Sequence, residues 1–413
     1  MKQQDRYGTE SAVSTTPIDV PSGDTATMSR RAMLALSGAG GAALAMGRPG
    51  VAAAVPAAQQ RKLSLETRLT REYGVPFPFV GAGMGFVSMP NLVAAVSNGG
   101  GIGVLGNAIE PPPGTRALIQ ATKALTPNLF GVDFLFDQSA FGPLVTDAHI
   151  DVCVEEGVRL VVFHMNVPPA VWVDRLHAAG ARVWMQAASV SQAREAVAAG
   201  VDAIIAQGSQ AGGHNKSTTR TLELLGQIVA AVGPHTIVLA SGGIADGQAV
   251  VHALAGGAEG VWVGTRLVAS LEAHAHAEYK QRLLTASGNA TTTTEIFGPE
   301  YCRPYRVLRT RIVKQLSGKN PQCPAPTGEV IGTTLLFPLT LQQPYNMPRF
   351  SAVVPTPETQ GDLEEMGLPA GADSVKVIKS IEPAADIVKR MMLEARELIE
   401  EANRRSINPP APG

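Results

Sequence analysis

The chain has 413 residues, 45% of them hydrophobic, enough for one large domain with an appendage or for two domains. Its 34 Lys and Arg balance 35 Asp and Glu, giving a formal net charge of −1 and no electrostatic case for nucleic-acid binding. Three cysteines, Cys153, Cys302 and Cys323, form no CxxC pair and no metal-ligand spacing, so no metal site is expected.

Residues 1–60 read as a leader rather than as fold. A polar stretch is followed by "MSRRAMLALSGAGGAALAMGRPGVAAAVPAA", in which Arg30 and Arg31 precede a weakly apolar Gly/Ala/Leu run. Small residues at Ala52, Ala53 and Ala54 offer a cleavage site. This resembles a twin-arginine export signal and predicts a periplasmic or extracellular protein. Met28 offers an alternative start. The run is too short and glycine-rich for a stable membrane span. The alternative is an Ala/Gly leader of a cytoplasmic protein that happens to hold two arginines.

Residues 61–271 read as a core of alternating elements. Candidate strands are "FVGAG" (79–83), "GIGVLG" (101–106), "LFGVDFLF" (129–136), "RLVVFHM" (159–165), "RVWMQAA" (182–188), "AIIAQG" (203–208), "TIVLASGG" (236–243) and "GVWVGTRL" (260–267). Most are continuous apolar runs, the pattern of a sheet buried on both faces. Helical stretches lie between them with cap signals at their ends, such as Ser189 with Gly200 and Asp246 with Gly256. Strand and helix in regular alternation predict an α/β fold, a (β/α)8 TIM barrel. A doubly wound open sheet is the rival, but its glycine-rich phosphate loop follows the first strand, whereas the glycines here follow the sixth to eighth.

Residues 272–413 break the rhythm and predict a smaller, partly helical C-terminal lobe folded over the barrel mouth. Residues 317–372 are rich in Pro, Gly and Thr. Residues 382–405 carry the apolar stripe of an amphipathic helix packed on the barrel.

The loops after barrel strands form the functional face. "ASGGIADG" (240–247) places Gly242 and Gly243 before a helix whose N-terminus offers N–H groups to an anion. "VGTR" (263–266) adds Gly264 and Thr265 at the next strand. Together they read as a phosphate site, or more simply as tight strand–helix turns. In "AIIAQGSQAGGHNKS" (203–217), Gln207 closes a strand, and Gly208, Gly212 and Gly213 allow the chain to turn around a flat ligand. His214 follows, a loop histidine that either serves the mouth or is merely solvated. His164 ends another strand, as a second candidate or a hydrogen-bonded core histidine.

"AASVSQAREAVAAGVDAIIAQGSQAGGHNK", "ASGGIADGQAVVHALAGGAEGVWVGTR" and "AGMGFVSMPNLVAAVSNGGGIGVLG" resemble the FMN-dependent nitronate monooxygenases, formerly 2-nitropropane dioxygenases, from about Val75 to Leu271. The resemblance implies one FMN, its phosphate on Gly242, Gly243, Gly264 and Thr265, its ring near Gly83, Met84, Asp133, Gln207 and Gly212. It makes His214 the catalytic base or the anchor of an anionic substrate through a charge-assisted hydrogen bond. The implied reaction passes electrons from a small nitronate to the flavin and on to O2, leaving a carbonyl compound and nitrite. Two alternatives stay open: an NAD(P)H-dependent flavin reductase of quinones or enoyl thioesters, and a non-catalytic flavin-binding protein of the cell envelope.

The chain departs from the family at three places: Asp133 where asparagine is common, Asn215 and Lys216 after the histidine, and "AGADS" (370–374) without a glutamine. An ionised Asp133 would repel both a reduced anionic flavin and a nitronate. Either burial keeps it protonated, or the substrate is neutral or cationic.

Overall fold

The computed structural model describes residues 63–139, 142–287, 289–298, 303–318, 324–325 and 327–407. These belong to one compact unit, Gln60–Gly413. The leader with Arg30 and Arg31, and Cys302 and Cys323, lie outside the described residues.

Eight parallel strands form one sheet: β1 (Phe79–Gly81), β2 (Gly103–Asn107), β3 (Phe130–Phe136), β4 (Leu160–Met165), β5 (Arg182–Ala187), β6 (Ala203–Gln207), β7 (Ile237–Ser241) and β8 (Gly260–Val263). They pair in the order β1-β8-β7-β6-β5-β4-β3-β2. A parallel bridge between Val80 and Ile102 joins the two ends. There Gly81 N–H donates to Ile102 O at 2.8 Å and Ile102 N–H to Phe79 O at 2.9 Å. The ring closes, which bears out the barrel and excludes the open sheet, whose edge strands would stay unpaired.

Successive side chains on a strand face opposite sides, and this period of two places the site. Val80, Val104, Leu160, Val162, Trp184, Ile205, Leu239 and Trp262 point inward and form one buried cluster. The same phase continued to the C-terminal ends brings Asp133, His164, Gln186, Gln207 and Ser241 to the mouth. The other end is plugged by helix Arg68–Tyr73. Its Leu69 is fully buried, and Tyr73 Oη accepts a hydrogen bond from Trp184 Nε1 at 2.6 Å. A ligand therefore enters from the mouth.

Outward strand residues such as Phe79, Leu105, Val161 and Ile204 share a second core with the surrounding helices. Ser189 caps helix Val190–Ala198 by accepting from Gln192 N–H at 3.2 Å. The last helix, Ala384–Ile407, inserts Ile387, Val388, Met391, Met392 and Ala395 into this core and packs on helices Gly247–Ala255 and Pro90–Asn98. Among the described residues no helix is long and apolar enough to cross a membrane.

Two details differ from the sequence expectation. The strand read as 260–267 stops at Val263, because Gly264 leaves extended geometry and Thr265–Val268 turns helical. The Pro/Gly/Thr-rich region contains a β-hairpin, β11 (Val330–Leu336) with β12 (Gln343–Pro348), after β9 (Thr291–Thr294) and β10 (Tyr305–Leu308). Its Leu336, Phe337 and Tyr345 reach the barrel mouth.

Candidate active site

A cavity of about 490 Å³ opens at the mouth and touches every candidate site residue: Gly83, Met84, Asp133, His164, Gln207, Gly212, His214, Gly242, Gly243, Gly264 and Thr265. Gln186, Ser241 and Tyr305 also line it. Sequence reasoning did not assign these three. Gln186 and Ser241 follow from the inward phase of Trp184 and Leu239; Tyr305 carries no local signal.

Gly242 and Gly243 have φ of 116° and 79°, a region that disfavours any side chain. A Cβ on Gly242 would stand 2.7 Å from Thr221 Oγ1 and 2.8 Å from Ala211 N. The turn after β7 is thus pressed against the loop after β6. Thr265 Oγ1 accepts from Gly371 N–H at 3.0 Å, tying the "AGADS" segment to the end of β8. Two of the N–H groups of the helix expected to receive an anion are taken within the protein. Asp246 accepts from Ala249 N–H at 2.8 Å, and Glu394 from Gly247 N–H at 3.0 Å, so carboxylates already fill that N-terminus. The cradle is backbone and hydroxyl, without that helix end.

The glycines before His214 serve the protein backbone. A Cβ on Gly208 would lie 2.3 Å from Thr221 Cα, and one on Gly212 would lie 2.7 Å from the carbonyl carbon of Ala370. Gly213 has φ of 81°. The loop folds back so that Gly213–His214 pairs with Tyr305–Arg306 of β10. His214 therefore sits on a short strand, its ring 4.4 Å from that of Tyr305.

Burial, with the nearby His164, pushes the His214 imidazole down to about 3. Burial pushes His164 down to about 4 against a hydrogen bond with Gln207 that raises it. Both rings are neutral at pH 7. An imidazolium is therefore not the resting form of His214; the neutral ring can accept a proton, and its N–H can still donate to an anion. Asp137 lies close enough to raise both values, but its charge is balanced by Arg303 at 3.0 Å.

Asp133 is 4% exposed. Gln186 Nε2 donates to its Oδ2 at 3.0 Å, and Oδ1 is buried with no hydrogen-bond partner among the described residues. Burial holds its carboxyl well above the usual range, against the Gln186 hydrogen bond. Gly83 must be glycine here, since its Cβ would lie 2.3 Å from Asp133 Cβ. The other departures are structural. Asn215 Nδ2 donates to Gly208 O at 2.7 Å and its Oδ1 accepts from Ser217 N–H at 2.8 Å, which staples the loop. Lys216 Nζ reaches Met165 O at 3.0 Å. In "AGADS", Asp373 accepts from Lys376 at 2.7 Å and from Gln210.

A glycine cradle at one end and a buried, unpartnered carboxyl oxygen on the floor fit a flat ligand that carries a phosphate. The outer wall is apolar, with Leu135, Leu144, Leu336, Phe337, Val353 and Val354, and no Lys or Arg lines the cavity among the described residues.

Residues 66–394 match the family model described as nitronate monooxygenase. A Mycobacterium tuberculosis protein named (3aS,4S,5R,7aS)-5-hydroxy-7a-methyl-1-oxo-octahydro-1H-indene-4-carboxyl-CoA dehydrogenase is 35% identical over 255 residues, 62% of this chain and 69% of that one. A probable nitronate monooxygenase of Staphylococcus aureus is 30% identical over 291 residues, 61% of this chain and 81% of that one. Among solved structures, FabK from Thermotoga maritima superposes with a TM-score of 0.67 at 30% identity, covering 83% of this chain and 99% of that one. A nitroalkane oxidase from Streptomyces ansochromogenes gives 0.66 at 27%, covering 81% and 99%.

Proposed function

From a chain that belongs to the nitronate monooxygenase family, we propose a flavin enzyme that holds FMN and oxidises alkyl nitronates with O2 to a carbonyl compound and nitrite. The observation that carries this reading is the pair of neutral imidazoles, His214 and His164, on the same cavity as the glycine cradle. The backbone at Gly242, Gly243 and Gly264 and the Thr265 hydroxyl would hold the phosphate. Gly83, Met84, Asp133 and Gln186 would meet the ring. The flavin, when bound, supplies the redox chemistry. His214 would orient the nitronate anion by donating a ring N–H to it, a hydrogen bond strengthened by the charge on the acceptor, and would act as proton acceptor only toward a neutral nitroalkane. His164, hydrogen-bonded to Gln207, stands beside it. The hairpin residues Leu336, Phe337 and Tyr345 exclude water from the mouth, which strengthens every polar contact inside.

A second reading is oxidoreduction of an acyl thioester. It is favoured by the dehydrogenase name of the 35%-identical relative and by an apolar wall without a cation to hold a small anion. Anaerobic mixing separates the two. Under the first reading, propyl-2-nitronate bleaches the flavin, and readmitted air yields turnover with nitrite. Bleaching by NADH, NADPH or an apolar acyl-CoA, with the nitronate inert, assigns the second. A flavin that none of these reduces marks a non-catalytic flavin-binding protein.

A further inference from the structure

We infer that Asp133 is a neutral carboxylic acid, its proton on Oδ1, held by Gln186 as a hydrogen-bond donor to the group that fills the cavity. The donor role rests on the flavin reading; the protonation state rests on the fold alone.

Asp133 is on β3 in the inward phase, level with Gly106 of β2 and Val162 of β4. Gly83, in the loop after β1, approaches so closely that a Cβ there would stand 2.8 Å from Oδ2. From β5, the Gln186 amide donates to Oδ2 at 3.0 Å. The titratable neighbour on β4 is His164, which is neutral at pH 7. No Lys or Arg lines this cavity among the described residues. An ionised carboxylate with a residue exposure of 4% would thus have one neutral hydrogen bond and no counter-ion. Burial of a charge on those terms is resolved by proton uptake.

The single hydrogen bond also decides which oxygen carries the proton. An amide N–H needs an acceptor, so Oδ2 is the carbonyl-like oxygen and Oδ1 bears the hydrogen. Oδ1 is buried and has no partner among the described residues. A buried donor left unmade is costly, and Asp133 lines the cavity, so a cavity ligand with an acceptor atom satisfies it. The consequence for the substrate follows directly. A neutral acid leaves the floor without negative charge, so an anionic substrate meets a donor there and not a repelling carboxylate. Asp133 then supplies, as an asparagine amide also can, a hydrogen-bond donor without net charge, here an O–H, and Gln186 is the positioning residue that fixes its orientation.

Infrared spectroscopy of the full-length protein at pH 7 tests this. The spectrum of the wild type minus Asp133→Asn should show the carbonyl stretch of one protonated carboxylic acid. Glu110, which burial pushes up to about 7, is partly protonated at this pH, and its band cancels in the difference. Gln186→Leu should shift the Asp133 band and leave the Glu110 band in place, which keeps the test open if Asp133→Asn does not fold. Binding of FMN to the stripped protein should move the band again. Asp133→Leu, which removes the donor, should weaken FMN binding about tenfold, and Asp133→Asn much less. A carboxylate band in that difference, in place of the protonated one, overturns the proposal. So does a protonated band that neither Gln186→Leu nor bound FMN displaces. A protein that takes up no flavin would sink the cofactor reading, and with it the donor role, while the band of the protein alone still reports the protonation state.

Discussion

Turnover of His214→Ala falls by roughly 10²-fold or more, the usual loss for a positioned acid or base, while flavin content stays near that of the wild type. The split follows from position: His214 faces the cavity from the short strand beside Tyr305, apart from the glycine cradle at Gly242 and Gly243. The pH profile adds a second readout. Burial lowers His214 to about 3 and His164 to about 4, so the neutral, proton-accepting form persists above those values and is lost below them. In the wild type kcat/KM should therefore show no histidine limb near 6.5, and an acid limb only near 4 or below. The same shifts act on stability. Unfolded histidines take up protons near 6.5 and the folded ones only near 3 to 4, so acidification through that window favours the unfolded chain. Near-full activity in His214→Ala would contradict the catalytic role, and an acid limb at 6.5 that the mutation removes would contradict the lowered pKa of the buried ring.

Gly242→Val should weaken flavin binding and lower the flavin content of the purified protein. A valine there is forced to φ of 116° and drives its Cβ to within 2.8 Å of Ala211 N and 2.7 Å of Thr221 Oγ1. Backbone strain of this kind costs roughly 1–3 kcal/mol, and relief comes by moving the turn that would hold the phosphate. At 1.4 kcal/mol per factor of ten, flavin affinity drops by roughly five- to 100-fold from strain alone. Gly226→Ala is the control. It lies mid-helix in Thr221–Val232 with nothing within 4 Å of its Cβ, so it should keep its flavin and gain slightly in stability. Circular dichroism separates loss of flavin from loss of fold. Full flavin occupancy in Gly242→Val would show that this turn does not hold the cofactor.

The barrel was legible because each strand is a short apolar run between capped helices, and those runs have no other way to be buried. Strand ends were less so. Nothing in "VWVGTRL" signals that Val263 is the last strand residue and Thr265 the first helical one. The hairpin at Val330–Pro348 was hidden by its Pro, Gly and Thr content, which masks strand alternation. The glycine motifs were found, but their purposes were only partly readable. Gly242 and Gly243 adopt positive φ, as a close turn requires, whereas Gly208 and Gly212 make room for Thr221 and Ala370. Those contacts join residues distant in sequence. The filling of the helix N-terminus by Glu394 is likewise a long-range fact. Gln186 was within reach, since it continues the inward phase of Trp184. The electrostatic state of the site was not, because a histidine's charge depends on burial, which no local motif encodes.

The central claim is that the cavity at the barrel mouth is a flavin site, and the most direct measurement is the cofactor itself. The purified protein is heat-denatured, and the released flavin is identified by chromatography and quantified against the chain. The account predicts FMN, released without covalent attachment, at about one per chain, with the yellow colour lost on release and restored on reconstitution. A colourless protein that neither releases FMN nor takes it up when refolded or incubated with it would contradict the account.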